Sequence, residues 1–451
     1  MTLFKMLQAR HLVEAHTCSA EEMERLLEQP LTVYAGFDPT AECLQAGNFV
    51  TIMTLAHLQR AGHKVIALVG GATGMIGDPS GRSSERNMLT EEQVLRNLEG
   101  IKENLSRFLD FEGKCGNPAI LVNNYDWYKG YGLIPFLREV GTLFRMRPML
   151  SKDSVQKRLN AENNGMSFTE FSYQILQGYD FYHLRKEYGC SLEVGGSDQW
   201  GNITAGTDLI HRVLGPDAVA NGLTFPLVCD ANGQKFGKSA GNAIFLNKEK
   251  TSVYDFYQFF LRTLDADVIR YLKIFTFLPL ERIAELEQCV AREPERREAQ
   301  RVLAEELTRT VHGEDGLRTA QRAASVLFGG SLDGLSAEEL ESIFKEVPSA
   351  VLPREQVVGR PVFEVAAAAG FFSSKGEARR LARQGGLNLN NAKAGEERTV
   401  ADADLIGGRL AVVRQGRKNY FLLKVAAHNR RLLRGAVPSN PTEAEVDTLR
   451  G

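Results

Sequence analysis

The chain has 451 residues, 43% of them hydrophobic and 24% charged, with a net charge of −2. That composition is ordinary for a globular protein, and the length suffices for two to four domains. So small a net charge excludes a chain that is basic throughout for nucleic acid. Six cysteines (Cys18, Cys43, Cys115, Cys190, Cys229 and Cys289) show no CxxC spacing, which argues for reduced cytosolic thiols and against a disulfide framework or a zinc site. No run approaches the roughly 20 apolar residues that span a bilayer. The amphipathic N-terminus, with Lys5, Arg10, Glu14 and Glu21, lacks the apolar stretch of a signal peptide.

In chain order, LTVYAGF (31–37) reads as a strand and GNFVTIMTLAHLQRAG (47–62) as a helix ending at Gly62. KVIALVGG (64–71) is the continuous apolar run of a strand buried on both faces. PAILVNN (118–124) and CSLEVGG (190–196) are further strands, and the alternation predicts an α/β fold with a parallel sheet and crossover helices. Residues 127–187 are mainly helical, rich in aromatics and Met, and read as an insertion in that sheet domain. Beyond 248 the pattern is helical, until glycines in FGGSLDGLSAEEL (328–340) break it before a helix start at Ser336. Three prolines in KEVPSAVLPREQVVGRP (345–361) read as a linker. A short last domain carries the strand-like GGRLAVVRQG and NYFLLKV, and the tail from 436 is expected to be disordered. Residues 351–440 hold 16 Lys and Arg against 7 Asp and Glu, a local excess of +9 that points to a polyanion contact or to a solvated surface.

Four clusters could carry chemistry. Around residues 36–48 a strand turns into a helix, whose free N–H groups and dipole favour an anion. Gly47 would admit a ligand, and Gln45 and Asn48 are amide donors nearby; a plain strand-to-helix turn is the competing reading. GGATGMIGDPSGRSSER (70–86) reads as a mobile glycine loop carrying Asp78, Arg82 and Arg86, suited to closing on an anion, and matches neither a P-loop nor GxGxxG. In CDANGQKFGKSAGNAIFL (229–246), Lys235 and Lys238 flank Phe236 and Gly237 and could clamp a polyphosphate, although KxxK is common on surfaces. Tyr173, Gln177 and Asp180 fall at i, i+4 and i+7 on one helix face, a polar stripe better read as a pocket wall than as core. VGGSDQWGN (194–202) then places Asp198 and Gln199 at a strand end.

From about Leu31 to Lys424, these clusters in this order resemble the tyrosyl-tRNA synthetases of the bacterial type. The landmarks are YAGFDPTA, ALVGGATGMIGDPSGR, SFTEFSYQILQGYDF, GGSDQWGNI, KFGKS and the basic last domain. The tryptophan enzymes are the nearest alternative, but they lack the SYQILQGYDF pattern and the basic module. The resemblance implies a Rossmann-like catalytic domain over 1–247 with a dimerising insertion near 127–187. A helical anticodon-side domain (248–344), a linker (345–358), a ribosomal-protein-S-four-like RNA-binding domain (359–425) and a basic, then disordered tail (426–451) would follow. In the last domain FFSSKGEARRLARQGGLNLNN carries Ser374, Lys375, Arg379, Arg380 and Arg383 as the RNA-contacting set.

The implied reaction joins L-tyrosine to ATP, bound with Mg2+, releasing pyrophosphate; the tyrosyl group then passes to the 3′ end of tRNA(Tyr). Similar proteins are homodimers. No resident metal and no membrane contact are implied. Carried over residue by residue, Tyr34 and Asp180 match the pair on the substrate phenol, and Asp78, Tyr173 and Gln177 the ammonium set. Gly36, Asp38, Gly196, Asp198 and Gln199 match positions lining the tyrosine and ribose sites. Thr40, Gln45, Gly47, Asn48 and Thr51 fall where the family contacts ATP. Arg82 and Arg86 match the loop that closes on pyrophosphate, and Lys235, Lys238 and Ser239 the lysine loop. A pocket that pairs the substrate hydroxyl rejects phenylalanine without editing; this family is itself the standard illustration of that rule, so the rejection is known rather than deduced.

QAGN (45–48) departs from the family's usual His-Ile-Gly-His, in which Asn is a known last-position variant. A glutamine amide can donate to a phosphate oxygen, but from a longer and looser arm. A poorly placed Gln45 would cost on the order of 1–3 kcal/mol of transition-state stabilisation. The alternative is a synthetase-like RNA-binding protein with weakened or lost aminoacylation, and Gln45 is its only support. A synthetase for another aromatic amino acid is disfavoured by Tyr34 with Asp180.

Overall fold

The computed structural model describes the chain apart from residues 81–88, 161–164, 232, 234–235, 240–241, 328, 333, 346, 417–418 and 427–451. By internal contacts it divides into two compact units, Met1–Ala320 and Gln321–Gly451. The division falls at 320/321, whereas the sequence places boundaries at 247/248 and 344/345.

The first unit is built on one sheet of six strands: β1 (Ala15–His16), β2 (Thr32–Phe37), β3 (Lys64–Val69), β4 (Ile120–Asn123), β5 (Cys190–Gly196) and β6 (Asn221–Phe225). Their order is β1-β6-β5-β2-β3-β4, and every neighbouring pair is parallel except β1 with β6. β5 is buried at every position and β3 at all but Lys64, the two-sided burial that their apolar runs require. From β2 the chain builds outward to β3 and β4 on one side, and later to β5 and β6 on the other. The β2–β5 pair is therefore the topological switch point, where an α/β sheet opens a crevice beyond its carboxyl ends.

Two helices flank that point. Phe49–Arg60 follows a single 3-10 turn, Ala46–Asn48, and stops before Gly62, whose φ of 97° ends it as the sequence predicts. Ten of its twelve residues are buried, because helices Val253–Leu261 and Asp265–Phe275 cover its outer side. Phe49 meets Phe256, Phe260 and Phe275 there with ring centroids 5.7–6.4 Å apart. Helix Phe168–Tyr188 starts at the Ser167 cap and ends at Gly189 in the left-handed region. It packs Phe181 and Leu184 under Tyr34 and Leu68, and a buried Arg158–Glu170 pair at 2.9 Å ties it to helix Asp153–Leu159.

The glycines of 70–77 are not the mobile loop that their number suggests. Residues Gly71–Ile76 form a short helix pressed onto its neighbours. A Cβ at Gly71 would stand 2.1 Å from Asn123 Oδ1, and one at Gly74 2.9 Å from the Pro39 ring. Glycine is needed there for close approach, not for motion.

A small hairpin, β7 (Lys238–Ser239) with β8 (Asn242–Ala243), closes the other side. Phe236 stacks on Phe275 at 4.6 Å and meets Tyr271 edge-on at 4.9 Å. The adjoining Gly237 (φ 88°) lies so near the 45–48 turn that a Cβ would stand 2.9 Å from the Gly47 nitrogen. Ala46 N–H donates to the Ile244 carbonyl at 2.8 Å, Leu246 N–H to that of Leu44 at 3.0 Å, and Gln45 forms a β-bridge with Phe245.

In the second unit β9 (Ser349–Pro353), β10 (Leu387–Leu389), β11 (Ala392–Lys393), β12 (Leu410–Gln415) and β13 (Asn419–Ala426) form a sheet of order β11-β10-β12-β13-β9. Its core includes Val362, Phe363, Ala378, Leu387, Val413 and Phe421. The stretch 345–358, read above as a linker, contains β9, which pairs in parallel with β13. Pro353 is tolerated because β9 is an edge strand, where one face of the backbone needs no ladder partner. The tail from 427 lies outside the described residues.

Gly237→Ala should cost about 1–3 kcal/mol, since it combines a strained φ with a backbone clash. A Cβ at Gly233 (φ 77°) would have nothing within 4 Å, so Gly233→Ala carries the strain without the clash. Urea unfolding should rank Gly237→Ala as the less stable of the two; equal losses would show that the close approach to Gly47 is not tight.

Candidate active site

The crevice at the switch point is a cleft of about 440 Å3. Its exposure is graded: Tyr34, Asp180 and Glu193 are only 1–2% exposed, whereas Thr40 and Gly47 are open to solvent. Of the residues singled out in the sequence, it brings together Tyr34, Gly36, Asp38 and Thr40 from β2 and its turn, and Gln45, Gly47, Asn48 and Thr51 from the next element. Asp78 enters after the 71–76 helix; Tyr173, Gln177 and Asp180 come from one face of the 168–188 helix, as their spacing predicts; Gly196, Asp198 and Gln199 follow β5. Arg82, Arg86 and Lys235 lie outside the described residues, and Lys238 and Ser239 are described as strand backbone beside the Gln45 turn.

At the buried end, Asp180 accepts hydrogen bonds from Asn124 Nδ2 at 3.0 Å and Trp127 Nε1 at 2.9 Å. Burial nevertheless lifts its carboxyl to about 7 against the pull of those donors. Glu193, on β5, accepts from Gln177 Nε2 at 2.9 Å, and burial lifts it to about 8. The Tyr34 phenol is also driven well above its ordinary pKa, first by burial and then by the fields of Glu193 and Asp180. This end can host a neutral ring and exchange hydrogen bonds with a hydroxyl on it.

Farther out, Asp78 accepts from Gln199 Nε2 at 2.7 Å and from the Ser80 N–H at 2.9 Å. The Tyr173 hydroxyl donates to Asp38 Oδ2 at 2.9 Å, while Thr73 Oγ1 donates to Oδ1 at 3.0 Å, so Asp38 fixes the Tyr173 ring. Several carboxylates without a described basic side chain among the cleft-lining residues suit a cationic group such as an ammonium. At the open end the acidic character gives way to hydroxyls and amides. Asn48 Oδ1 accepts from the Gln45 N–H at 3.0 Å, which commits the oxygen and leaves the Asn48 NH2 to donate. The first turn of the helix starts here, beside the backbone of Gly237, Ile244 and Phe245.

Sequence reasoning passed over Glu193, Thr73, Asn124 and Trp127. Glu193 had a legible signal, a lone acid within the apolar CSLEVGG run, because a charged residue in a strand buried on both faces is costly unless it is used. The other three support functional groups from separate elements, a relation that no spacing reveals.

In the second unit Ser374 caps helix Lys375–Arg383, accepting from the Glu377 N–H at 3.2 Å. Arg379 and Arg383 both pair with Glu396, and Lys375 lies 3.5 Å from Glu364. The exposed cationic face is thus partly held in place by acids of its own unit.

A model of the tRNA synthetases class I (W and Y) family matches residues 26–329, and a model of the tyrosine–tRNA ligase SYY-like C-terminal domain matches 339–423. The tyrosine–tRNA ligase of Protochlamydia amoebophila is 48% identical over 93% of this chain and 98% of its own, and that of Geobacillus stearothermophilus 49% identical over 94% and 100%. A solved structure, a C-terminally truncated mitochondrial tyrosyl-tRNA synthetase of Coccidioides posadasii, superposes with a TM-score of 0.62 at 34% identity, over 71% of this chain and 91% of that one. With its switch-point cleft and both of its units matched in order, the chain belongs to the class I tRNA synthetases, on their tyrosine branch.

Proposed function

We propose that this chain is a tyrosine–tRNA ligase that activates L-tyrosine with MgATP and charges tRNA(Tyr). The observation that carries the reading is one cleft holding a buried hydroxyl-binding end, an acidic middle and an amide-lined mouth at the switch point. The tyrosine carboxylate attacks the α-phosphorus, forming a carboxyl–phosphate bond as pyrophosphate leaves. A ribose hydroxyl at the tRNA 3′ end then attacks the carbonyl carbon, and AMP leaves. Neither step needs a covalent enzyme intermediate; positioning and charge stabilisation suffice.

In this reading Tyr34 and Asp180 hold the substrate phenol, and Asp78, Tyr173 and Gln177 hold the ammonium, with Asp38 and Gln199 steadying them. Gly36, Gly196 and Asp198 leave room for the ribose and pair with it. Thr40, Gln45, Gly47, Asn48 and Thr51 meet the phosphates, and Arg82, Arg86, Lys235, Lys238 and Ser239 neutralise the departing pyrophosphate. The second unit binds the tRNA through Ser374, Lys375, Arg379, Arg380 and Arg383. The enzyme acts in the cytoplasm as a homodimer through the 127–187 insertion, where Leu133, Ile134 and Met146 are 59–71% exposed, more apolar surface than an isolated unit needs. An enzyme reading is preferred to an RNA-binding relic because Gln45 keeps its turn, its bridge to Phe245 and its place in the cleft.

Purified protein should catalyse ATP–pyrophosphate exchange with tyrosine and not with phenylalanine. Gln45→His should raise kcat by up to about 10–100-fold if the amide is the weak donor, which corresponds to roughly 1–3 kcal/mol. No exchange from folded protein that binds tRNA would favour the relic. Asp180→Asn removes an acceptor and turns an NH2 toward Asn124 and Trp127; kcat/KM for tyrosine should fall by about 2–3 kcal/mol, some 30- to 150-fold, as an unpaired buried group requires. Leu133→Glu with Ile134→Glu should shift sedimentation from dimer to monomer; an unchanged dimer would place the interface elsewhere.

A further inference from the structure

The deepest part of the cleft holds an acid that the reading above leaves without a role. Glu193 on β5 is 2% exposed, and β2–β5 pairing makes it the register partner of Tyr34, so the two side chains project from neighbouring strands to the same face. Glu193 Oε1 is occupied by Gln177, but among the described residues Oε2 and the Tyr34 hydroxyl are both buried with no well-directed hydrogen bond. Two such atoms side by side are expensive unless a proton joins them or a ligand completes them.

Asp180 lies close to both groups, from the 168–188 helix. The other groups that face them are Cys190 on β5, Gln177 on the same helix as Asp180, and, around Asp180, Asn124, Trp127, Tyr128 and Asp38. Two carboxylates cannot both ionise cheaply in so little water. The donors decide which one does. Asp180 has Asn124 and Trp127 pointing at it with Tyr128 beside them, whereas Glu193 has one well-directed donor, Gln177, with the Tyr34 hydroxyl beside it. Asp180 therefore takes the charge first and Glu193 keeps its proton, in line with the higher pKa to which burial lifts it.

We propose that Glu193 is a positioning residue of the phenol subsite: as a neutral acid it donates its proton to the Tyr34 oxygen and so turns the Tyr34 O–H toward the substrate hydroxyl. The inference rests on the tyrosine-activating reading and assigns a direction to its hydrogen bonds. Tyr34 donates to the substrate oxygen, and the substrate O–H donates to ionised Asp180. Once Glu193 ionises, it becomes an acceptor, claims the Tyr34 proton and sets a second negative charge beside Asp180. Tyrosine binding should then weaken as pH rises through about 8.

The test is the pH dependence of KM for tyrosine in pyrophosphate exchange, comparing wild type with Glu193→Gln, which keeps a donor of the same shape and cannot ionise. Wild-type KM should rise relative to the variant by about fivefold between pH 8 and pH 9, as the protonated share of a group titrating near 8 falls, and by about tenfold per unit beyond that, while kcat ratios stay constant. In a Tyr34→Phe background, Glu193→Gln should change the profile less than it does with Tyr34 present, because only the charge beside Asp180 remains to act. Parallel profiles for the two proteins would overturn the proposal, as would a KM for Glu193→Gln raised equally at every pH, which would mark a charged acceptor. Absence of exchange by the wild type would instead defeat the activity reading; calorimetric titration with tyrosine over the same pH range would then make the same comparison.

Discussion

The contact between Gly237 and the Ala46–Gly47 turn is the constraint from which the site follows. A parallel sheet opens a crevice at its switch point, but such a crevice has one wall. Here Phe236, stacked on Phe275, fixes the start of the hairpin, and the missing side chain at 237 lets two backbones meet. Aromatic packing between helices far along the chain thereby sets the distance between two polar loops. The helices Val253–Leu261 and Asp265–Phe275 serve the cleft without lining it, which explains why the first compact unit runs well past the sheet.

Within that frame the cleft sorts chemistry by depth. Water is least available where Tyr34, Asp180 and Glu193 meet, and there each polar atom must be matched by another. Toward the mouth the demands relax, and amides and hydroxyls with solvent access take over. The same fold thus offers a strict test to one end of a substrate and a permissive contact to the other. This is economical for an enzyme that must reject a near-identical side chain yet accept a common nucleotide.

Much of this was legible in the residues. β2, β3, β4 and β5 announced themselves by apolar runs, and the 168–188 helix by its polar stripe at i, i+4 and i+7. Those signals are local, and local physics fixes them. What stayed hidden depended on partners distant in the chain. β1 and β6, a two-residue strand and the glycine-bearing NGLTF, exist as strands because they pair with each other and with β5. β9 hid behind two prolines, since an edge position in a sheet cannot be seen from one strand alone. The glycines of 70–77 imply flexibility by composition, and only the neighbours Asn123 and Pro39 reveal that they are there for contact.

The parallel pairing of β9 with β13 also has a bearing on how the second unit comes to be made. Ser349 aligns with Leu422, so the first strand of this unit finds its neighbour only after some seventy further residues have been synthesised. β12 and β13, by contrast, are neighbours in the sequence, Gln415 pairing with Asn419, and can zip together at once. Loop closure over that span is slow compared with hairpin formation. On the ribosome, therefore, β9 waits as an unpaired edge until the last strand emerges, and β13 arrives already paired with β12. The sheet is completed from its far end backward, and a chain cut short before Asn419 would leave β9 with no partner in this sheet.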